Sequence, residues 1–223
     1  MLSQEEIKQA LTHVLWIGGG PDAGKTSVTT VLAEKYGWYF YSKDEHLEDF
    51  WENYISQDPN SYGNQVMKLS LDERWLQPIE EQLQRLDRIG AEIEPLILNG
   101  LMSIGNETPI IFEGNSSPKF IVPYLSSMHQ AIWMVPTESF RNDSFYRREK
   151  HLAHEKRSDP QQTLANHIAR DRAIIKQVAD AVRGQGFKLL ETDGSHSIEE
   201  AAEIVKAHFE PHLAQFSFMG IQD

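Results

Sequence analysis

No cysteine occurs among the 223 residues, which excludes disulfides, thiolate metal sites and cysteine nucleophiles. No apolar run approaches the ~20 residues that a membrane-spanning helix needs, so no membrane partner is expected. Positive charge is scarce: 21 Lys and Arg stand against 33 Asp and Glu, a formal charge of −12. Such a chain repels phosphate backbones, and nucleic acid is not expected as a partner. The opening MLSQEEIKQA is polar and acidic, unlike a secretory signal or an Arg-rich transit peptide, and points to a cytoplasmic protein. What is present, 40% hydrophobic and 24% charged residues, suffices for a substantial core.

No repeat, low-complexity tract or Pro/Gly linker divides the sequence, so residues 1–223 read as one folding unit. Short apolar runs of strand length recur at His13–Ile17, Trp38–Tyr41, Pro109–Phe112, Ala131–Val135 and Phe187–Leu190. Several are β-branched or aromatic, as buried parallel strands are. Helical segments lie between them. Ser3 with Glu6 and Ser70 with Glu73 have capping-box spacing. Thr26–Tyr36 should stop at Gly37, and Ser197–Phe209 should stop before Pro211. The alternation predicts an α/β fold, a parallel sheet of about five strands with helices on both faces. Two connections exceed simple crossovers, residues 44–108 and 137–186, and are expected to be a binding insert and a lid.

The strongest motif is GGPDAGKT, Gly19 to Thr26, which matches G-x-x-x-x-G-K-[ST] at every fixed position. Chance produces such a match in a chain this long on the order of one time in a hundred. The apolar VLWI leads in, and a helical segment leads out. Gly19 and Gly24 permit a tight turn whose successive N–H groups, from Gly19, Gly20, Pro21 (which lacks one), Asp22, Ala23, Gly24 and on to Ser27, surround an anion. The helix start adds partial positive charge. Lys25 would reach the β- and γ-phosphates of ATP, and the Thr26 hydroxyl would ligate Mg²⁺.

No N-K-x-D guanine motif and no LSGGQ-like stretch accompanies this loop. With SKDE after the second strand, FEGN after the third and RNDSFYRRE after the fourth, most of the chain resembles the small P-loop kinases. These include the nucleoside monophosphate, shikimate and gluconate kinases and chloramphenicol phosphotransferase. The stretches ERW (Glu73–Trp75), IFEGN and IWMVPTESF more closely resemble a group of bacterial P-loop proteins known only as hypothetical ATP-binding proteins. The resemblance implies the three-layer P-loop NTPase fold and an ATP- and Mg²⁺-dependent kinase acting on a small-molecule acceptor.

In kinases that phosphorylate alcohols, an acidic residue after the second strand orients the acceptor hydroxyl, a role that falls to Asp44. A carboxylate there would act as base; an Asp in that position also suits a helix cap. Glu113 should face the carboxyl edge of the sheet. It is expected to contact Mg²⁺ through water, to bond the acceptor, or to hold backbone N–H groups of the following loop. Residues 141–172 carry eight basic side chains against five acids, a local +3 that leaves −15 on the rest. Such a segment suits a phosphate-clamping lid. Arg147 and Arg148 are the first candidates for the clamp and Arg157 the next. His151 and His154 read as surface histidines. In the insert, Arg74 and Trp75 are candidate acceptor contacts, while Leu47, Phe50, Trp51 and Tyr54 have the spacing of a buried helix face. A nucleoside monophosphate kinase would lean instead on Arg74, Arg85 and Arg88, and a nucleotide-binding regulatory module would bind without transfer. The tail FEPHLAQFSFMG, residues 209–220, is apolar enough to dock on its own core or on a second copy in a homodimer.

Overall fold

The computed structural model describes residues 2–56, 58–114 and 117–215. Five strands, β1 (Val14–Gly19), β2 (Tyr39–Ser42), β3 (Ile110–Glu113), β4 (Ala131–Pro136) and β5 (Lys188–Thr192), form one sheet in the order β2-β3-β1-β4-β5. Every pairing is parallel. Each central strand is buried on both faces, which explains why its sequence is continuously apolar rather than alternating.

Alternate residues still serve different layers. Val14 and Trp16 of β1 enter one core with Tyr41, Phe112 and Trp133. Leu15 and Ile17 enter the other with Leu32, Ile132 and Phe209. The first layer is covered by α1 (Gln4–Ala10), the rear of α6 (Ile79–Ser103) and α9 (Pro160–Gly184); the second by α2 (Lys25–Tyr36) and α10 (Ile198–Leu213). The result is the three-layer α/β architecture expected. Side chains such as Trp133 and Phe209, both fully buried, each contribute on the order of 1.5–3 kcal/mol through burial.

Both long excursions share themselves between sheet and site. Residues 44–108 form α3 (Lys43–Phe50), a π-helical turn (Trp51–Ile55), α4 (Tyr62–Met67), α5 (Leu71–Trp75) and α6. The rear of α6 buries Ile93, Ile97, Leu98 and Leu101, so only its front half belongs to an insert. After α7 (Pro118–Ile121) and β4 come α8 (Glu138–Arg147), a 3-10 turn (Lys150–His154) and the 25-residue α9. The rear of α9 buries Val178, Ala179 and Val182, which makes it a structural helix rather than part of a lid.

The last helix corrects the expectation for Pro211, because α10 runs through it to Leu213. Near a helix end proline forfeits a single backbone bond, and buried His212 makes up the loss. Its Nε2 lies 2.8 Å from the Thr12 carbonyl oxygen and its Nδ1 3.0 Å from Ser127 Oγ. The end of the apolar tail, residues 216–220, lies outside the described residues.

Candidate active site

The strand order reverses at β1, whose neighbours are β3 and β4. Open parallel sheets bind ligands beyond the carboxyl ends of their strands at such a point, and the glycine-rich loop begins there. Two glycines are needed for different reasons. Gly19 has φ +141°, and a Cβ on it would lie 1.9 Å from the Met134 carbonyl oxygen, so β4 leaves no room for a side chain. Gly24 has open space around it but φ +78° at the start of α2, where glycine costs least.

This turn sets Lys25 Nζ 2.7 Å from the Gly20 carbonyl oxygen, to which it donates, and 3.7 Å from Glu113 Oε1. Burial pushes the lysine ammonium down and the Glu113 carboxyl up from their ordinary values, and their mutual attraction opposes both shifts. The Thr26 hydroxyl donates to Glu113 Oε2 at 3.2 Å. Glu113 therefore meets both Lys25 and Thr26 of the loop. Thr26 and Ser27 are exposed on the first turn of α2.

The Thr26 hydroxyl and the Glu113 carboxylate form a pair of hard oxygen donors. That fits Mg²⁺, which commonly takes one or two protein oxygens beside phosphates and waters. Among the described residues no group of three or more His, Asp or Glu could hold a metal ion by itself. The donor set suits a metal shared with a nucleotide rather than a protein cage.

Asp22 has φ +59°, a conformation Asp tolerates better than most residues. Its buried carboxylate accepts from Arg148 Nη1 at 3.1 Å and Lys150 Nζ at 2.7 Å. Its side chain thus anchors the basic segment after α8 onto the loop instead of facing a nucleotide. The two expected lid arginines separate here. Arg148 reaches the loop and remains 61% exposed at its side chain. Arg147 is exposed at the end of α8 and has no ion pair among the described residues. Arg157 donates from Nε to the Ala153 carbonyl oxygen at 3.2 Å and stays within its own turn.

Asp44 is exposed in the first turn of α3. The cap itself is Ser42, whose hydroxyl accepts from the Glu45 N–H at 3.4 Å, so Asp44 is not needed for that bond. Asp44 borders a cleft of about 530 Å³ together with Gly19, Pro21 and Lys43, and the far walls come from α6 and α9. The stripe on α3 divides: Phe50 is buried in the core, Leu47 and Trp51 border the cleft, and Tyr54 is 57% exposed.

Three expected acceptor contacts lie elsewhere. Glu113 is committed to the loop and does not border the cleft. Arg74 donates from Nε to Leu69 at 3.0 Å and from Nη2 to Met67 at 2.9 Å, closing off carbonyls around α5. Trp75 packs its ring 4.5 Å from that of His167, under the Arg170 guanidinium at 4.3 Å. Neither Arg74 nor Trp75 borders the cleft.

Trp75 covers a buried ionic centre that the sequence did not disclose. Asp171 accepts from Arg141 Nη2 at 3.1 Å and from Arg170 Nη2 at 3.0 Å, with His167 Nε2 3.3 Å away. His167 Nδ1 then lies 2.9 Å from His154 Nε2. Arg141 and Asp171 are 30 residues apart with no local pattern linking them. The one hint was the i, i+4 spacing of His167 and Asp171. His154, expected at the surface, is buried instead because Trp75 and His167 close over it.

Burial, chiefly, holds the His154 imidazole down to about 4 from an ordinary 6.5, and neighbouring His167, Arg157 and Arg170 add to it. Between those values the unfolded chain takes up a proton that the folded chain refuses. Stability is therefore full above 6.5 and falls as pH drops towards 4. His13, His208 and His212, also lowered by burial, act in the same direction. His154→Gln should flatten the decline of Tm across this window without removing it. An unchanged slope would contradict the burial of this ring.

Neither a known family model nor a curated protein matches the chain. Among solved structures it is similar to TT1252 from Thermus thermophilus, with a TM-score of 0.52 and 19% identity over 87% of this chain and 96% of that one. At that identity the likeness speaks for the fold alone. No helix among the described residues is long and apolar enough to cross a membrane.

Proposed function

We propose that the chain is a kinase that moves the γ-phosphoryl group of ATP to a hydroxyl of a small molecule. The observation that carries this reading is the shared cleft. Gly19 and Pro21 of the glycine loop and Asp44 border one crevice at the carboxyl ends of β1 and β2, and the charge of Asp44 acts on Lys25 and on Glu113 beside it. Phosphoryl transfer asks for positioning and charge stabilisation more than for covalent chemistry.

The backbone of Gly19–Gly24 and the start of α2 hold the phosphates, and Lys25 lies against the β- and γ-groups. Thr26, with Glu113 behind it, would hold Mg²⁺, which would supply positive charge beside the phosphates. Asp44 accepts the proton of the attacking hydroxyl. Arg148, already tethered to the loop through Asp22, is the better placed arginine to meet charge as it develops. A nucleoside monophosphate kinase is disfavoured because Arg74 and Arg85 are occupied by backbone carbonyls.

Calorimetric titration with ATP and Mg²⁺, followed by an ADP-release screen across alcohols and nucleoside monophosphates, tests the reading. Binding and turnover with an alcohol are expected. Absence of ATP binding removes the kinase, and binding without any turnover leaves a regulatory module.

A further inference from the structure

The chemistry of the cleft selects among alcohols. Past Lys43 and Asp44, apolar side chains alternate with charged ones: Leu47 and Trp51 on one side, Leu86 and Ile89 of α6 on the next, then Phe120 and Ile174, with Asp87, Lys119, Arg170 and Asp171 between them. Its volume of about 530 Å³ lies within the range of pockets that enclose drug-sized molecules. Leu86 of α6 is 42% exposed and borders the cleft.

Two of the cations along these walls already have carboxylate partners. Lys119 pairs with Asp87 at 2.7 Å. Arg170 is held by Asp171 at 3.0 Å and lies over the Trp75 ring. Lys43 lies within electrostatic reach of Asp44 and Glu113, but burial outweighs their attraction and holds its ammonium below the ordinary value. An acceptor bearing its own phosphate or carboxylates would meet the negative charge of Asp44 and would have to compete with buried Asp171 for Arg170, which would leave a buried carboxylate short of a partner.

The cations that might have served such an acceptor are spent elsewhere. Arg85 donates to the Arg74 carbonyl oxygen at 3.0 Å, and the Arg88 guanidinium lies 3.5 Å over the Tyr62 ring. Both border a separate hollow between α4 and α6 to which no residue of the glycine loop contributes.

We propose that the acceptor is an uncharged alcohol with an apolar, ring-sized body, its hydroxyl at Asp44 and its body between α6 and α9. This rests on the kinase reading for the reaction, but the apolar seat itself is independent of ATP. Trp51 and Leu86 then determine specificity by what they cover. Each methylene that enters such a seat should raise kcat/KM about fourfold until the cleft is full.

The test has two arms. In the first, 2-(2-naphthyl)ethanol is titrated into the full chain without nucleotide, followed by its fluorescence, for the wild type and Leu86→Asp. Position 86 is exposed enough for the variant to fold, which circular dichroism and Tm check. Saturable binding that weakens at least tenfold in Leu86→Asp is expected, with ATP affinity unchanged within twofold. No binding, or equal binding in both proteins, overturns the proposal. The second arm compares ADP release with benzyl alcohol, 2-phenylethanol and 3-phenylpropanol against glycerol, gluconate and AMP. A rising aryl series is expected. Turnover of a polyol, gluconate or AMP in preference overturns the acceptor class while leaving the kinase standing. If ATP itself fails to bind, the kinase reading falls, and the first arm still decides the apolar seat.

Discussion

Replacing Asp44 with asparagine is expected to lower acceptor-dependent turnover about 10²–10⁴-fold, the usual worth of a positioned general base. The fold and the affinity for ATP should remain. Asparagine keeps the size of the side chain and removes only its charge and basicity. The side-chain cap of α3 comes from Ser42, so the substitution breaks no capping bond. Asp44 is exposed, and surface changes of this kind move stability by about 0.5 kcal/mol or less. Single-turnover ADP release with the alcohol that the screen selects, read beside Tm and calorimetric ATP affinity, checks it. Full activity in a stable variant would place the proton acceptor elsewhere. Activity lost only in proportion to folded protein would make Asp44 structural.

The sheet was legible because its central strands are buried on both faces and therefore carry continuous apolar runs, and because helices alternate with them. All five runs became strands within a residue or two. The glycine loop was legible because its geometry tolerates so few residues; β4 passing over Gly19 is the steric reason that its first glycine cannot vary. The rest depended on contacts between distant segments. Arg74 and Trp75 looked open as acceptor contacts because sequence does not show that carbonyls around α5 need a donor or that α9 offers a ring to stack on. Charge counting marked residues 141–172 as basic but did not divide them. Arg148 and Lys150 go to Asp22, Arg141 and Arg170 go to Asp171, and Arg147 stays in solvent. The widening of the helix after Phe50 into a π turn likewise leaves no mark in composition, yet it sets Trp51 on the cleft wall, in keeping with the frequent use of such turns at functional sites.

Asp171→Asn should destabilise the protein by about 3–5 kcal/mol, the range for breaking one side of a buried ion pair. Asp171 and Arg141 are each 1% exposed. Arginine cannot shed its proton, so the variant must either bury an uncompensated guanidinium or open the centre to water. Asparagine preserves the shape and one acceptor oxygen, and the Phe145 ring still lies 4.5 Å from the Arg141 guanidinium. Neither replaces a full charge. The wild-type carboxyl is held well below the ordinary carboxylate range because hydrogen bonds and charges from His167 and Arg170 outweigh its burial. Its contribution is thus present above the unfolded value of 3.8 and is lost as pH falls below it. Urea denaturation at pH 7 reads the effect as a drop in midpoint at constant slope. Asp180→Asn, which breaks the exposed pair with Lys176, should cost less than about 1 kcal/mol in the same experiment. Equal losses in the two variants would mean that water reaches Asp171 as freely as it reaches the surface. The wall that Arg170 and Asp171 give the cleft would then be a solvated edge rather than a dry, fixed one.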